Sequence, residues 1–480
     1  MTATSSTGYD LAVIGSGGGA FAAAIRATAL GKRVVMIERD TIGGTCVNTG
    51  CVPSKALLAA AEARHVALDP SRFPGITATA GPADMPGLVA GKDDLVRSLR
   101  REKYLDLAAD YGWDMRPGDA TFTGTPGNPV LQVTSPDGSV KTLRAEQYLI
   151  ATGSAPWAPA VDGLEEAGYL TSTTAMELDH LPDSLLVIGG GYVALEQAQL
   201  FARLGTRVTM LVRSRLASHE EPEASTALLD VLTDEGIRVI CRAVPTAVRR
   251  DEATGEVVVT ATVAGATQEL RAAEMLVAAG RRAVTEGLGL DAVGVETGDL
   301  GEVVVDHHLR TSNPRIWAAG DVTGHREFVY VAAAHGALIV ANAFTDAHRE
   351  VDYRHLPRVI FTSPSLAAVG MTDRQARAAG IRCVCRVLPL AHVPRAIVNR
   401  DTRGLIKMVA DADTGRIVGI TALAQDAGDL AAAGVYILEA GMTVEQIANL
   451  WSPYLTMAEG LKLTAQSFNT DVSKLSCCAA

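Results

Sequence analysis

YDLAVIGSGGGAFAAAIRATALGKRVVMIERD, Tyr9–Asp40, decides the fold. An apolar strand over Leu11–Ile14 runs into a glycine turn, an Ala-rich helix follows, and a second strand spans Val34–Ile37. Gly15-x-Gly17-x-x-Ala20 sits at the strand-to-helix turn, and Glu38 ends the second strand. The glycines let the backbone approach a pyrophosphate, and the helix start offers amide donors and the positive end of its dipole. Glu38 can accept hydrogen bonds from ribose hydroxyls. Strand, turn, helix, strand and acid together form a dinucleotide-binding fingerprint in its required context.

The pattern recurs in SLLVIGGGYVALEQAQLFARLGTRVTMLVRSR, Ser184–Arg215, where Gly189-x-Gly191-x-x-Ala194 links strand to helix. Here the second strand ends in Arg213-Ser214-Arg215, with no acid in the place of Glu38. A carboxylate would repel a 2′-phosphate, whereas Arg213 and Arg215 would pair with it. The first unit therefore suits a dinucleotide with a free ribose and the second suits NADP. Two strand-and-turn stretches, YLIATGSAP (Tyr148–Pro156) and MLVAAGRRAV (Met275–Val284), mark crossings between the units, and TSNPRIWAAGDVTG ends a strand at Gly320-Asp321. From about Asp352 the texture changes to that of an antiparallel sheet with helices, and DADTGR, Asp411–Arg416, is a hairpin signal. The expected fold class is α/β: two Rossmann-like domains plus a C-terminal α+β domain.

At 480 residues the chain exceeds one ordinary core, so two or three domains are expected. A formal charge of −11 disfavours nucleic acid, which needs a basic surface. The polar start MTATSSTGYD lacks the charged-then-apolar order of a secretory leader, and no apolar run reaches membrane-spanning length. The expected setting is the cytoplasm. There, seven cysteines point to reactive or metal-binding thiols more than to structural disulfides.

Four cysteines draw attention. GGTCVNTGCVPSK, Gly43–Lys55, holds Cys46 and Cys51 with four residues between them, at the start of an expected helix that favours thiolate. On spacing alone the pair fits a redox disulfide, a structural disulfide or a buried thiol pair. LSCCAA, Leu475–Ala480, ends the sequence with Cys477 and Cys478 side by side. Thiolates are soft ligands, and an adjacent pair at a chain end suits capture of a soft cation. In RCVCR, Cys383 and Cys385 would share one face of a strand. They are taken as structural, with auxiliary metal binding as the lesser alternative. Cys241 is taken as an ordinary core residue.

The two fingerprints, GGTCVNTGCVPSK, ATG and AAGD stand in the order found in the FAD-dependent pyridine nucleotide-disulfide oxidoreductases, which the chain resembles over nearly its whole length. The resemblance implies a glutathione-reductase-like architecture. An FAD domain would occupy 1–165 and 285–350, an NADP domain 166–284, and a C-terminal dimerisation domain 351–480. It implies a homodimer whose active sites use both subunits. FAD contacts fall on Gly15, Gly17, Ala20, Glu38, Asp40, Gly44, Thr45, Lys55, Ala120, Thr152, Gly153, Asp321 and Val329. NADP contacts fall on Gly189, Gly191, Tyr192, Glu196, Arg213, Arg215 and Gly280. Many of these reductases place a histidine five residues before a C-terminal glutamate; here Tyr454 precedes Glu459. A phenol with a pKa of about 10 shuttles thiol protons poorly at neutral pH.

PYLTMAEGLKL, FNTDV, the terminal LSCCAA and VPRAIVNRDTRGLIKMVAD (Val393–Asp411) instead resemble the mercuric reductases. The activity this implies is NADPH-dependent reduction of Hg(II) to Hg(0). Cys51 would exchange electrons with the flavin and Cys46 would face the substrate. Lys55 would stand beside the flavin with Glu196 as its ion partner, and Tyr192 would gate the nicotinamide subsite. Cys477 and Cys478 of the partner subunit would pass Hg(II) from small thiols to Cys46 and Cys51, with Tyr454 lining the site. The N-terminal GMTCxxC metal-binding domain of many mercuric reductases is not expected here. The competing expectations are a dihydrolipoamide dehydrogenase or other dithiol–disulfide oxidoreductase, and a non-catalytic thiol protein that buffers metal.

Overall fold

The computed structural model describes residues 8–69 and 72–475; Cys477 and Cys478 lie outside the described residues. The chain forms two compact units. One comprises Met1–Ala56, Val89–Trp157 and Gly280–Val351; the other comprises Leu57–Leu88, Ala158–Ala279 and Asp352–Ala480. These units group residues by compactness, whereas the four-segment division at 165, 284 and 350 groups them by expected binding role.

The first unit is built on a five-stranded sheet in the order Ile316–Ala318, Ala145–Ile150, Tyr9–Ile14, Val34–Glu38, Asp114–Pro117, with every neighbouring pair parallel. Its central strands are apolar on both sides because both faces are covered. Leu11, Val13, Met36 and Leu149 pack against Ala20, Ala23, Ala24 and Ala27 of the helix Gly18–Ala29 and against Ile339 and Val340 of the helix Val329–Phe344. The alternate residues Ala12, Ile14, Val35, Ile37, Tyr148 and Ile150 pack against Phe122 and Leu131 of a three-stranded antiparallel sheet. Alanines on the first helix keep it close to the strands, which explains its composition.

The second unit carries the other fingerprint on a four-stranded parallel sheet, ordered Arg238–Cys241, Arg207–Val212, Ser184–Ile188, Glu274–Val277. Residues 352–475 form a five-stranded antiparallel sheet ordered Arg358–Ile360, Ser365–Gly370, Ile417–Ala424, Leu405–Asp411, Cys383–Pro389. The strands Leu405–Asp411 and Ile417–Ala424 form the hairpin expected from DADTGR. A buried ion cluster ties this unit together. Arg203 binds Glu235 through Nη2 at 2.6 Å, pairs with Glu62, and donates to the Ser363 carbonyl at 2.9 Å. Burial works to raise the Glu235 carboxyl, but the Arg203 guanidinium outweighs it and holds the group below the usual carboxylate range. Among the described residues no helix is long and apolar enough to cross a membrane.

Candidate active site

In the first unit, parallel register aligns Ile14 with Ile37 and Ile150, and Ile150 with Ala318. The loops that follow these strands therefore leave from one edge, the carboxyl edge where α/β sheets bind nucleotides. They bring together Gly15, Glu38, Thr152, Gly153 and Asp321. Gly15 has φ of 99°, and a Cβ there would lie 2.4 Å from the Ala151 carbonyl oxygen, so a side chain is excluded twice over. Gly17 caps the helix Gly18–Ala29 with no side-chain cap, leaving its first amides for an anion. Glu38 accepts from the Ser16 hydroxyl at 2.6 Å and from the Asp40 amide at 2.9 Å, and Ser16 Oγ accepts from the Gly43 amide at 3.0 Å. Asp40 itself is exposed and bonds here through its backbone.

Asp321 accepts from the Ser154 hydroxyl at 2.8 Å, and Arg281 donates to that hydroxyl at 2.7 Å and to the Ser154 carbonyl at 2.6 Å. The Thr152 hydroxyl donates to the Val284 carbonyl at 2.6 Å. The Gly320 amide donates to Nδ1 of buried His335 at 3.2 Å, which fixes the turn holding Asp321. Burial, helped by His325, lowers the His335 pKa from 6.5 to about 4, so the ring is neutral and Nδ1 is free to accept. Val329 starts the helix Val329–Phe344 and packs close to Gly18. Ala120 is buried in the core beneath the sheet. A side-chain-free cradle, an uncapped helix start, an acid at the second strand and a fixed acid at the last strand fit the pyrophosphate, ribose and ribityl parts of FAD.

The thiol pair joins this edge through a tight contact. A Cβ on Gly44, which has φ of 66°, would lie 2.5 Å from the Gly17 Cα. Gly44 and Thr45 open the short helix Gly44–Asn48, which carries Cys46, and Cys51 is the first residue of the helix Cys51–Leu68. The expected single helix is thus two, broken at Thr49-Gly50. Asn48 Nδ2 donates to the carbonyls of Thr41, Ile42 and Gly44 and holds the loop around the break. Both residues carry thiols, and no disulfide joins them. The hydrogen-bonded Cys51 thiol and burial push the Cys46 thiol up, while the Lys55 ammonium opposes them.

Tyr104 was not signalled by any motif. It lies in a π-helical turn, Arg101–Leu105, with its ring edge-on to Phe21 at 4.8 Å between centroids. A Cβ on Gly43, at the head of the cysteine loop, would lie 3.5 Å from the Tyr104 ring, and burial raises its phenol, with Cys46 and Cys51 adding to the shift.

In the second unit, Gly189 and Gly191 lead into the helix Tyr192–Leu204, again without a side-chain cap. A Cβ on Gly189 would lie 2.3 Å from the Ala278 carbonyl oxygen, repeating the Gly15 contact. The Tyr192 hydroxyl donates to Glu220 at 2.9 Å, and Glu220 receives Arg358 at 2.8 and 3.0 Å. Glu196 is buried and accepts from the Phe361 amide at 2.9 Å. Arg213 is exposed at the strand end. Arg215 instead turns back, donating to the carbonyls of Ser218 at 2.8 Å and Glu220 at 2.7 Å, with Nη1 buried and unpaired. Gly280, expected with this set, is assigned by compactness to the first unit, as is Lys55.

Tyr454 is 47% exposed and precedes Leu455, whose φ is 59°. Glu459 is buried at the start of the helix Glu459–Gln466; burial raises its carboxyl, which accepts from the Leu455 backbone, and its Oε2 has no hydrogen-bond partner. It therefore braces the turn behind Tyr454 rather than a histidine.

A family model described as pyridine nucleotide-disulphide oxidoreductase matches residues 9–336, and the family's dimerisation domain matches 356–465. The chain belongs to the pyridine nucleotide-disulphide oxidoreductase family. Within that family it is 60% identical over 474 residues to a mercuric reductase of Streptomyces lividans, covering 98% of this chain and 99% of the relative. It is 44% identical over 472 residues to a mercuric reductase of Staphylococcus aureus, covering 98% and 84%. Among solved structures, the Cu(II) complex of the HOCl-induced flavoprotein disulfide reductase RclA from Escherichia coli superposes with a TM-score of 0.85 at 28% identity, covering 96% of this chain and 99% of that one. LpdA from Mycobacterium tuberculosis gives 0.84 at 26% identity, covering 96% and 100%. As a family member this chain has the glutathione-reductase-like fold and carries the dimerisation domain, and the family implies FAD and NADPH as its cofactors.

Proposed function

We propose that the chain reduces Hg(II) to Hg(0) at the Cys46–Cys51 pair with electrons from NADPH. The observation that carries this reading is the Cys46–Cys51 thiol pair, not closed as a disulfide, beside the FAD cradle in a chain 60% identical to a mercuric reductase. Bound FAD supplies the relay of two electrons from NADPH to the thiol side. Gly15, Gly17, Glu38, Gly44, Thr152, Gly153 and Asp321 would hold FAD; Gly189, Gly191 and Tyr192 would hold NADP, with Gly280 at its nicotinamide end. The exposed Arg213 is the better placed of the two arginines for a 2′-phosphate, because Arg215 turns its Nη2 onto backbone carbonyls and buries its Nη1. Lys55 favours the Cys46 thiolate from the first unit, and its ion pairing with Glu196 remains part of the proposal.

Each transfer of Hg(II) is a ligand exchange: an incoming protein thiol binds the ion and gives its proton to the thiolate it displaces, a small thiol in the first exchange and a tail cysteine in the last. Cys477 and Cys478 of the partner subunit would make the first exchange, and Cys46 and Cys51 the last. Two electrons then convert the bound ion to Hg(0), which has little affinity for thiolate and departs. Tyr454 would line the pocket, since Glu459 braces its turn and no histidine stands there to serve a disulfide substrate. A homodimer agrees with the exposed aromatic residues of the dimerisation domain: Trp451 is fully exposed and Tyr436 is 74% exposed. The domain division 1–165 with 285–350, 166–284 and 351–480, and a cytoplasmic setting, belong to the same reading.

The deciding assay follows NADPH oxidation and Hg(0) release by the flavin-loaded protein in excess small thiol, with Hg(II) or lipoamide as acceptor. Turnover with Hg(II) is expected. Brisk lipoamide turnover without Hg(II) turnover would assign a dithiol dehydrogenase, and metal binding without NADPH oxidation would assign a buffering protein. Replacing Cys477 and Cys478 with alanine should impair turnover of thiol-bound Hg(II) while leaving FAD bound and reducible; normal turnover would remove the tail from the route.

A further inference from the structure

The strand Cys383–Pro389 is the edge of the five-stranded sheet and pairs only with Leu405–Asp411 in that sheet. One face of these two strands carries Leu388, Ile406, Met408 and Ala410 into the hydrophobic core. Cys383 and Cys385, two residues apart, lie on the opposite face, level with Asp411 and Val409. Both are partly accessible free thiols.

The two sulfurs converge on one residue of another element. Cys383 Sγ lies 3.7 Å from the Asp373 carbonyl oxygen, and Cys385 Sγ lies 4.0 Å from Asp373 Oδ2. Asp373 is itself held by the Lys407 ammonium at 3.6 Å, which also binds Glu221 at 3.0 Å and Glu223 at 2.8 Å. Two thiols thus sit on one face of the strand against Asp373, away from the Cys46–Cys51 pair in sequence and in use.

The ligand count selects the ion. No group of three or more His, Cys, Asp or Glu side chains suited to a metal occurs among the described residues, so a tetrahedral zinc site is not formed here. A linear dithiolate needs only two sulfurs, about 4.6 Å apart if each metal–thiolate bond is about 2.3 Å. Alternate residues of an extended strand are about 6.7 Å apart at Cα, a separation that side chains leaning together can bring to that span. The same separation lies at the far end of what a disulfide tolerates, so a bridging ion suits the strand better than an S–S bond. The complex is neutral, since two thiolate charges cancel a divalent ion, and a half-buried position therefore favours it over a charged one.

We propose that Cys383 and Cys385 form a second, non-catalytic site for two-coordinate thiophilic cations, Hg(II) in particular. Loading is a pure ligand exchange: a bis(thiol) complex of Hg(II) gives up both small-thiol ligands, and these take the two protons from Cys383 and Cys385. No electron moves. Hg(II) as the relevant ion rests on the proposed function; the pairing of the thiols does not.

The test uses flavin-loaded protein with Cys46, Cys51, Cys241, Cys477 and Cys478 replaced by serine, so that Cys383 and Cys385 alone remain. The protein is exposed to Hg(II) in excess glutathione, desalted, and examined by metal analysis and native mass spectrometry. One Hg per chain is expected, with a mass gain of one metal less two protons. Adding Cys383→Ser or Cys385→Ser should lower retention at least tenfold. No retained Hg, an Hg–glutathione adduct on a single cysteine, or full retention in the single-serine variants would overturn the site. If the five-serine protein fails to hold FAD, the same reading is made on the wild-type chain, where Cys383→Ser with Cys385→Ser should remove one Hg per chain and an unchanged stoichiometry refutes the proposal. That double variant should turn over Hg(II) like the parent. A parent that binds Hg(II) at this pair yet never oxidises NADPH with it would sink the proposed function and leave the second site standing.

Discussion

The Tyr192 hydroxyl donates to Glu220 Oε1 at 2.9 Å, so the aromatic ring that opens the second nucleotide-binding helix is tethered to a buried carboxylate. Burial works to raise Glu220, but Arg358 and the Tyr192 hydroxyl outweigh it and keep the group ionised. The tether therefore persists across the physiological range. A ring that must move to admit nicotinamide has to break this bond first.

Tyr192→Phe keeps the ring and removes the tether. A hydrogen bond has a net worth of about 1 kcal/mol, so the KM for NADPH should fall roughly fivefold with kcat little changed. Stopped-flow measurement of flavin reduction checks it. An unchanged KM would mean that the ring does not move on binding.

Lys55 opposes the upward pressure that the Cys51 thiol and burial place on Cys46. Lys55→Met should therefore slow alkylation of Cys46 in the NADPH-reduced protein by roughly 3- to 10-fold at neutral pH. Peptide mapping assigns the label to Cys46. Because the thiol is raised, the alkylation rate should climb with pH in both proteins. Equal rates in the two at every pH would show that Lys55 has no hold on this thiol.

His335 gives a pH signature. Its folded-state pKa is depressed from 6.5 to about 4, so the stability it contributes is present above pH 6.5 and is lost as pH falls from there through about 4. The full loss amounts to about 3 kcal/mol. Protonation also removes the acceptor for the Gly320 amide, so acid should release flavin over the same range. His335→Gln, which cannot titrate, should flatten this part of the stability curve. Parent and variant curves of the same slope would assign acid lability to other groups.

Arg203 stands between Glu235 and Glu62 with its own side chain 4% exposed. Arg203→Met removes the nearest cation from buried Glu235, leaving Arg403 at 3.1 Å, and should cost about 3 kcal/mol in urea unfolding. Pairing it with Glu235→Met should recover part of that loss. A loss under about 1 kcal/mol would mean that water reaches the cluster and screens it.

Much of the fold was legible because its signals are local. The two strand–turn–helix–strand units each lie within about 32 consecutive residues, and their periodicity and glycines suffice to place Gly15, Glu38 and Gly189. The hairpin at Asp411–Arg416 is likewise a short-range pattern. What escaped the sequence is what long-range closure decides. Ser154 and Arg281, which fix Asp321, come from segments more than a hundred residues apart, and nothing about a lone serine announces the bond. Tyr104 reaches the cysteine loop only through tertiary packing, against Phe21 of the first helix and close to Gly43. Arg215 shows a subtler limit: its charge suits a phosphate, yet the chain folds so that carbonyls three and five residues onward take its donors.

The contact of Gly44 with Gly17 sets a rule for transplanting this chemistry. A Cβ on Gly44 would fall 2.5 Å from Gly17, and Ser16 joins Glu38 to the Gly43 amide. The cysteine motif is therefore half of an interlocking part whose other half is the first glycine turn. A chimera that exchanges Gly43–Lys55 between reductases should keep its redox pair in place only when residues 15–20 travel with it, so the smallest portable module is two loops rather than one.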